Sequence, residues 1–419
     1  MKMERGLILV AGFAVAASAC ASAGATGGTA GAGTGGGSAS ASAVRCAAGT
    51  PANTSFASSA QNALNRTLLP NATAETKQGL YTQAQEQARQ GIAADASNPL
   101  HHFLAAQAAV GLGNYAAADS AFRRTVELCP EYAAEVTPMR EQAAAAVLDA
   151  GEEAYNRQDT ATALANWQLA SRLSERQPGA LYRIAEVYGA RGDVERGIPA
   201  FRTALAALER ATPDSANAEL NARLRAASLA GMMNLGVQQF QRNQFVPAAA
   251  IFNEVHTLNP NHHDAWLNHA VSLYRAQNWQ ALVPVAQRLI QMEPLSYDMR
   301  VFLFNAYKGI SEAGREPGNG PNRTLAVRTL AASDSLPVRV SDVQLTNGEG
   351  TARVAGTVTG MTARAGTPIR MEFTFFGPNG PVGTQSVTVN APAKDATAPF
   401  EATVTTPLPV IGWSYRVGS

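Results

Sequence analysis

Apolar side chains recur with a helical period over most of the chain, from about residue 56 to residue 332. A register is visible within this region: an aromatic or apolar residue usually follows a polar turn, at successive steps of 34, 45, 34, 51 and 34 residues. The residues that define this register are Tyr81, Tyr115, Thr160, Val194, Phe245 and Trp279. Three equal steps, with two others lengthened by insertion, indicate a repeated helical unit rather than a generic bundle.

Small residues occupy fixed places in this register, and larger apolar residues alternate with them. The small positions are Ala84, Ala118, Ala163, Gly197 and Ala248 after the turn, with Ala106, Gly151, Ala185, Gly236 and Ala270 before it. Large apolar residues follow each turn at Phe122, Trp167, Phe201 and Phe252, and Pro130, Pro260 and Pro294 stop the second helix. This pattern predicts pairs of closely crossing helices stacked along one axis.

The strongest unit, from Asp264 to Pro294, contains Trp266, Ala270, Tyr274, Trp279 and Pro294 at characteristic places. This pattern resembles the tetratricopeptide repeat (TPR). The resemblance implies a mainly α fold, a TPR α-solenoid over residues 55–332, with five full units and a partial first one. Residues 295–310 and 322–332 are predicted to add a further helix pair, and the insertions at 131–141 and 210–228 to lengthen helices.

The period changes from helical to alternating after residue 337, in a segment of about 80 residues. Alternation over 338–345, 352–358, 369–375, 385–389 and 400–404, separated by Gly- and Pro-containing turns, predicts a small antiparallel β-sandwich over 333–419. Residues 354–359 and 373–377 resemble the frame of the FxLYD family of envelope domains, although Phe375-Phe376-Gly377 replaces its Leu-Tyr-Asp. The resemblance implies an accessory module.

The first residues have the features of an export signal. Lys2 and Arg5 precede an apolar run of 11 residues, too short to cross a bilayer as a helix, and Ala17-Ser18-Ala19-Cys20 follows it. This resembles a bacterial lipobox, which implies a signal peptide at 1–19 and acylation of Cys20. The alternative is an ordinary A-x-A cleavage site. Residues 20–54 are rich in Gly, Ala and Ser and are predicted to be a flexible tether. The expected location is therefore the outer membrane, facing the periplasm.

Composition excludes several functional classes. With 33 Lys and Arg against 32 Asp and Glu, the net charge is +1, which argues against a nucleic-acid partner and against electrostatic targeting in general. Three cysteines are too few for a disulfide scaffold or a four-thiolate zinc site. No nucleophile elbow, P-loop, HExxH or CxxC motif occurs, so we expect neither an enzyme nor a cofactor.

Two sets of residues are candidates for metal binding or for disulfide formation. Four of the six histidines lie within 14 residues, at His256, His262, His263 and His269. They are predicted to be turn and packing residues, with metal binding as the alternative. Cys46 and Cys129 remain if Cys20 is acylated, and in an oxidising compartment they are able to pair. The alternative is that Cys129 is simply a small buried apolar residue.

The TPR resemblance implies that ligands bind on the concave face, which the first helix of each pair lines. In this register the groove residues are Phe103, Gln107, Leu148, Glu152, Tyr155, Tyr182, Glu186, Met233, Phe240, Leu267 and Tyr274. Such a groove suits an extended or helical peptide. The sequence therefore predicts a non-catalytic scaffold that binds other envelope proteins. The alternative is an accessory lipoprotein that takes a metal or a glycan through the histidine cluster or the β-sandwich.

Overall fold

The structure is a computed structural model that describes residues 44–175, 177–210 and 217–418. Cys20, the predicted signal and most of the predicted tether lie outside the described residues. Within the described residues the chain forms fourteen α-helices followed by six β-strands, so the predicted fold class is confirmed. None of the described helices combines the length and hydrophobicity that crossing a bilayer requires.

The helices alternate with short turns along the whole solenoid. They are α1 (Ser55–Thr67), α2 (Ala74–Ala94), α3 (Pro99–Gly111), α4 (Tyr115–Leu128), α5 (Ala133–Asn156), α6 (Thr160–Leu173), α7 (Pro178–Ala190), α8 (Val194–Arg210), α9 (Ala218–Gln241), α10 (Phe245–Leu258), α11 (His263–Arg275), α12 (Trp279–Met292), α13 (Tyr297–Ala313) and α14 (Pro321–Asp334). The two 24-residue helices, α5 and α9, contain residues 133–141 and 218–228 of the predicted insertions, which lengthen the first helix of a pair there.

In the five helix pairs from α3–α4 to α11–α12, the turn passes through one residue in the left-handed backbone region. These residues are Gly113, Gln158, Gly192, Asn243 and Gln277, so their steps of 45, 34, 51 and 34 residues reproduce the register seen in the sequence. Polar side chains then start the second helix: Asn114, Asp159 and Asn278 each accept a hydrogen bond from a backbone N–H of its first turn. The sequence repeat is thus a repeat of turn geometry.

The small-residue columns lie where neighbouring helices touch. All of the small positions named above are buried. At Gly236 an added Cβ would lie 2.6 Å from the Phe252 ring, and at Gly151 it would meet the Trp167 indole. Phe122, Trp167 and Phe252 are fully buried and fill the space that these small residues leave. A larger side chain at either glycine would separate the two helices of its pair.

The strands form two three-stranded antiparallel sheets around one core. They are β1 (Val338–Gly348), β2 (Thr351–Gly360), β3 (Pro368–Gly377), β4 (Gly380–Asn390), β5 (Thr397–Thr405) and β6 (Gly412–Val417). The strand orders are β1-β2-β5 and β4-β3-β6. Val354, Phe373, Phe375, Trp413 and Tyr415 belong to the shared core. The strand pattern missed β6, although Trp413, Tyr415 and Val417 alternate within it.

The chain divides into two compact units, and the division does not fall at the change from helix to strand. The described parts of these units are residues 44–184 and 185–418, so the second unit holds α8–α14 together with the β-sandwich.

In the first unit, the segment before α1 is fastened to the solenoid. Cys46 and Cys129 form a disulfide, with their Cα atoms 5.4 Å apart. The side chain of Asn98 donates to the Ala52 carbonyl (2.8 Å), and Thr54 Oγ1 is hydrogen-bonded to His101 Nε2 (2.8 Å). The predicted tether extends to residue 54, and the structure corrects this: residues 46–54 are fixed by one covalent bond and two polar contacts.

In the second unit, the β-sandwich packs directly on the turns around α11 and α12. The backbone of Leu295 donates its N–H to Tyr415 Oη (3.1 Å) and accepts from the Val340 N–H (2.9 Å). A Cβ at Gly412 would collide with the backbone carbonyl of Asn261, so this contact requires glycine. The sandwich and the helices of this unit therefore share a polar, closely fitted interface.

Candidate peptide-binding groove and buried histidine cluster

In the first unit, the predicted groove residues separate into accessible and buried ones. Gln107, Leu148 and Glu152 are half-buried, and Tyr155 is 38% exposed. Phe103 and Tyr182 are only 3% and 8% exposed, which corrects their assignment to a binding surface. Phe103 packs against Tyr132, whose ring centroid lies 5.1 Å away. Tyr132 belongs to the insertion before α5, and the repeat register does not show that it reaches this face.

The acidic groove residues are not available as free charges. Arg183 binds Glu152 in a bidentate ion pair, with Nε–Oε1 and Nη2–Oε2 distances of 2.9 and 2.8 Å. Arg183 is 12% exposed and Glu152 31% exposed, so the pair is largely shielded from water. In the second unit, Glu186 is half-buried and also has an interaction partner. The accessible part of the groove in the first unit is therefore mainly apolar and amide-bearing.

In the second unit, aromatic rings from successive helices lie close together. Phe240, Leu267 and Tyr274 are half-buried, whereas Met233 is fully buried, which corrects its assignment. The ring centroid of Tyr274 is 5.6 Å from that of Trp279, in an edge-on arrangement. Phe302 lies 6.3 Å from Tyr274.

Residues outside the predicted set extend this aromatic surface. Phe245 lies 5.0 Å from Phe240 in an edge-on contact, and the Arg275 guanidinium lies 4.7 Å above the Phe245 ring. Phe245 and Trp279 are the first residues of the second helices α10 and α12. The sequence pattern places them in the repeat register and does not predict that they contribute to this surface.

His256 and His269 form one buried pair on α10 and α11. His256 Nε2 and His269 Nδ1 are 2.8 Å apart, and the Trp266 ring stacks on His256 at 3.6 Å. The ring centroids of the two histidines are 5.0 Å apart, so the two nitrogens lie almost on the line that joins them. The N–H of one ring therefore points at the lone pair of the other ring's nitrogen, as an N–H···N hydrogen bond requires. The two nitrogens do not converge on a third point where an ion would sit.

Burial keeps most of the cluster uncharged. It lowers the pKa of His256 to about 4 and that of His269 to about 3. His262, at the start of α11, has its pKa lowered to about 4, also chiefly by burial. Its Nδ1 has no hydrogen-bond partner among the described residues. At neutral pH these three rings are neutral packing groups.

His263 has the opposite electrostatic environment. Burial by itself lowers the pKa of His263, but hydrogen bonds to Asp264 (3.2 Å) and Glu293 (2.7 Å) outweigh it and raise this pKa to about 9. The ring also stacks on Trp413 of β6 at 4.2 Å. His263 is thus a buried cation that joins the solenoid to the sandwich within the second unit, a role that the turn pattern around it does not reveal.

Among the described residues, one further group brings three possible metal ligands together: Cys46, Cys129 and Glu131. The two sulfurs of this group form the disulfide, so they are not available as thiolates. The histidine cluster does not supply three convergent ligand atoms either.

No protein-family model matches the sequence, and no curated protein is similar to it at a significant level. Several solved TPR structures are similar in fold. The C-terminal part of a TPR repeat-containing protein from Cytophaga hutchinsonii is 16% identical (TM-score 0.22), with 66% of this chain and 95% of that one covered. The TPR2AB domain of yeast Sti1, in a complex with an Hsp90 peptide, is 13% identical (TM-score 0.22; 67% and 88% covered).

A TPR protein from Parabacteroides merdae is 12% identical, with a TM-score of 0.20 and with 66% of this chain and 99% of that one covered. These identities and scores are too low for the ligands of the neighbours to be transferred to this chain. The description of the helical region as a TPR-type solenoid rests on its own repeat geometry: paired helices, left-handed turn residues at 34-residue steps and small-residue crossings.

Proposed function

We propose that the protein is a non-catalytic scaffold that binds segments of other proteins on the first helices of its solenoid. The observation that supports this most directly is the set of accessible apolar and aromatic side chains that successive first helices present. In the first unit these are Leu148 and Tyr155 on α5, and in the second Phe240, Leu267 and Tyr274 on α9 and α11. Half-buried aromatic residues supply contact area at a low cost in conformational entropy.

The polar chemistry of the same surface favours binding over catalysis. The Glu152 carboxylate is neutralised by Arg183, and the histidines with lowered pKa values are packed in pairs or against rings. The histidine geometry does not favour the alternative of a metal-binding lipoprotein.

The groove is tested by photo-crosslinking. A photoreactive phenylalanine at Tyr155 is expected to capture partner proteins in envelope extract, because this side chain is accessible and belongs to the predicted binding face. The same group at Leu68, which is 70% exposed on the turn after α1, is the control and is expected to capture few or none. Tyr155→Ser is expected to weaken partner binding severalfold and to lower the melting temperature slightly, because the Tyr155 ring also contacts the Trp167 ring at 5.5 Å. Equal capture at both positions would count against the groove.

We also propose that the protein is exported and anchored by acylated Cys20 in the outer membrane, facing the periplasm. The Cys46–Cys129 disulfide supports export, because structural disulfides persist in oxidising compartments. The predicted partners are accordingly envelope proteins, and the membrane contact is the acyl chain.

Export and anchoring are tested on the processed protein. The mature chain is expected to begin at Cys20 and to carry acyl groups detectable by mass spectrometry. Its processing is expected to stop with globomycin, and Cys20→Ser is expected to move the protein from the membrane fraction to the soluble periplasmic fraction. Ser18→Ala, a change beside the cysteine that leaves the thiol intact, is the control. A mature protein that starts elsewhere and carries no acyl group would contradict the anchor.

A further inference from the structure

Three exposed arginines of the second unit lie at the C-terminal ends of first helices, two of them one residue and the third two residues before the left-handed turn residue. Arg191 follows α7, Arg242 follows α9, and Arg275 is the last residue of α11. A cation at this place is favoured locally, because the C-terminal end of a helix has a partial negative charge. We name Arg191, Arg242 and Arg275 the arginine ridge.

Contacts between neighbouring turns connect the members of the ridge. Gly192, next to Arg191, has a positive φ of 66°, and a Cβ there would lie 2.6 Å from Gln238 Oε1 and 3.4 Å from Arg242 Nη2. Phe245 lies three residues beyond Arg242. The Arg275 guanidinium lies over the Phe245 ring, 4.7 Å from the ring centroid. The two ends of the ridge are therefore linked through one continuous surface of turns.

The ridge has little internal neutralisation. In the described part of the chain, no carboxylate oxygen lies within 4.0 Å of the three guanidinium groups, whereas most other arginines of the solenoid have such a partner. Asp193, the acid beside Arg191, is bonded to Arg196 instead. The chain, with a net charge of only +1, thus has three arginines here that form no ion pair, although the Asp193 carboxylate still interacts electrostatically with Arg191. The low net charge predicts no electrostatic targeting, and this local arrangement argues against that prediction.

The ridge also includes an apolar component. Val246 is 67% exposed next to Phe245, and Arg275 is held in a fixed orientation by its contacts with Phe245 and Phe240 (5.7 Å). A guanidinium that is stacked on an aromatic ring keeps its N–H groups free for a carboxylate and loses less rotamer entropy on binding. The surface therefore offers cations and an apolar contact side by side.

We propose that the arginine ridge binds an acidic peptide segment of a partner protein, one in which glutamate or aspartate side chains flank an apolar residue. This rests on the proposed scaffold function and adds a binding surface outside the groove. Nucleic acid is a poorer fit, because three contacts give weak phosphate binding and the chain has no basic excess elsewhere. A bilayer is also a poorer fit, because one exposed valine offers little apolar area to insert.

The test uses the complete mature chain with Cys20→Ser and a fluorescent glutamate-rich peptide that contains phenylalanine. We expect saturable binding that weakens with added salt, and no binding of the peptide in which lysine replaces glutamate. The triple variant Arg191→Gln, Arg242→Gln and Arg275→Gln is expected to weaken binding about tenfold, since each exposed ion pair contributes little by itself and three are lost together.

The matched control removes the same net charge elsewhere in the second unit, with Arg323→Gln, Arg328→Gln and Arg364→Gln, which are also exposed. It is expected to change the affinity less than twofold. Equal losses in both triple variants, or no peptide binding at all, would overturn the proposal. Ridge-dependent binding of phosphatidylglycerol vesicles or single-stranded DNA that exceeds peptide binding would assign the ridge to another partner class. Photo-crosslinking at Tyr155 reports on the groove independently of either result.

Discussion

Removing the Cys46–Cys129 disulfide is expected to lower the free energy of unfolding of the first unit by about 4 to 5 kcal/mol. The bond closes a loop with a sequence separation of 83 residues, and in the chain-entropy picture a long loop constrains the unfolded state strongly. Urea denaturation followed by Trp167 fluorescence, with and without dithiothreitol, measures the effect. Trp167 is the tryptophan within residues 44–184, so its signal reports on this unit.

The variant with Cys46→Ala and Cys129→Ala provides the control for reduction. It is expected to match the reduced parent and to be insensitive to dithiothreitol, whereas the parent shifts to a lower urea midpoint. Asn98→Ala removes both the hydrogen bond to the Ala52 carbonyl and the N-cap that accepts from the Leu100 N–H, and is expected to cost about 2 kcal/mol. A parent protein with the same midpoint in both redox states would contradict a stabilising role of the disulfide.

The stability of the second unit is expected to pass through a maximum near pH 6.5. The ordinary histidine pKa is 6.5, and burial lowers it to about 4 at His256 and His262 and to about 3 at His269. As the pH falls from 6.5 towards 4, the unfolded chain takes up protons that the folded chain does not, so folding is disfavoured. Each shift from 6.5 to about 4 corresponds to about 3 kcal/mol when complete.

The loss of stability of the second unit above pH 6.5 has a different cause. His263 has its pKa raised to about 9, so its stabilising contribution is fully present below pH 6.5 and is lost as the pH rises through 9. Above pH 9 the neutral ring no longer compensates the buried carboxylate of Glu293, which is only 4% exposed. The expected loss on this side is again about 3 kcal/mol.

The urea midpoint of unfolding, measured by tryptophan fluorescence between pH 4 and pH 9.5, tests the loss of stability on both the acid and the alkaline side of the maximum. His263→Gln is expected to flatten the alkaline side while leaving the acid side intact. The variant with His256→Gln and His269→Gln is expected to leave the alkaline side intact and to reduce the acid-side loss to the part that His262 contributes, because two amides are able to keep a hydrogen bond without titrating. His102→Gln, in the first unit, is the control and is expected to alter neither side. An alkaline side that persists unchanged in His263→Gln would contradict the assignment.

The repeat architecture was predictable because each turn repeats the same local chemistry. A left-handed residue, a polar cap and a small residue at the crossing recur at a step that a single sequence displays, as at Gln277, Asn278 and Gly236. The alternating strands were predictable for the same reason: side chains on a strand face core and solvent in turn. The sequence pattern did not predict strand β6, because this strand is short and its alternation begins at a glycine.

The binding surface was only partly predictable from the register. Repeat position gives the helix on which a side chain lies, but it does not give the neighbours that cover it. Phe103 is covered by Tyr132, a residue of an insertion, and Met233 is enclosed completely. In the same way the acid Glu152 was visible as a groove residue, whereas its partner Arg183 comes from the next helix pair and joins it only in three dimensions.

The sequence by itself determined the helix pairs, their turns, the lengthened helices and the later change to β-structure, because all of these depend on residues close together in the chain. Tertiary structure alone decided which cysteines pair, which of four neighbouring histidines is a cation and which arginines are left without a carboxylate. These properties depend on groups far apart in sequence, such as His263, Glu293 and Trp413, whose burial and charge are set only when they meet.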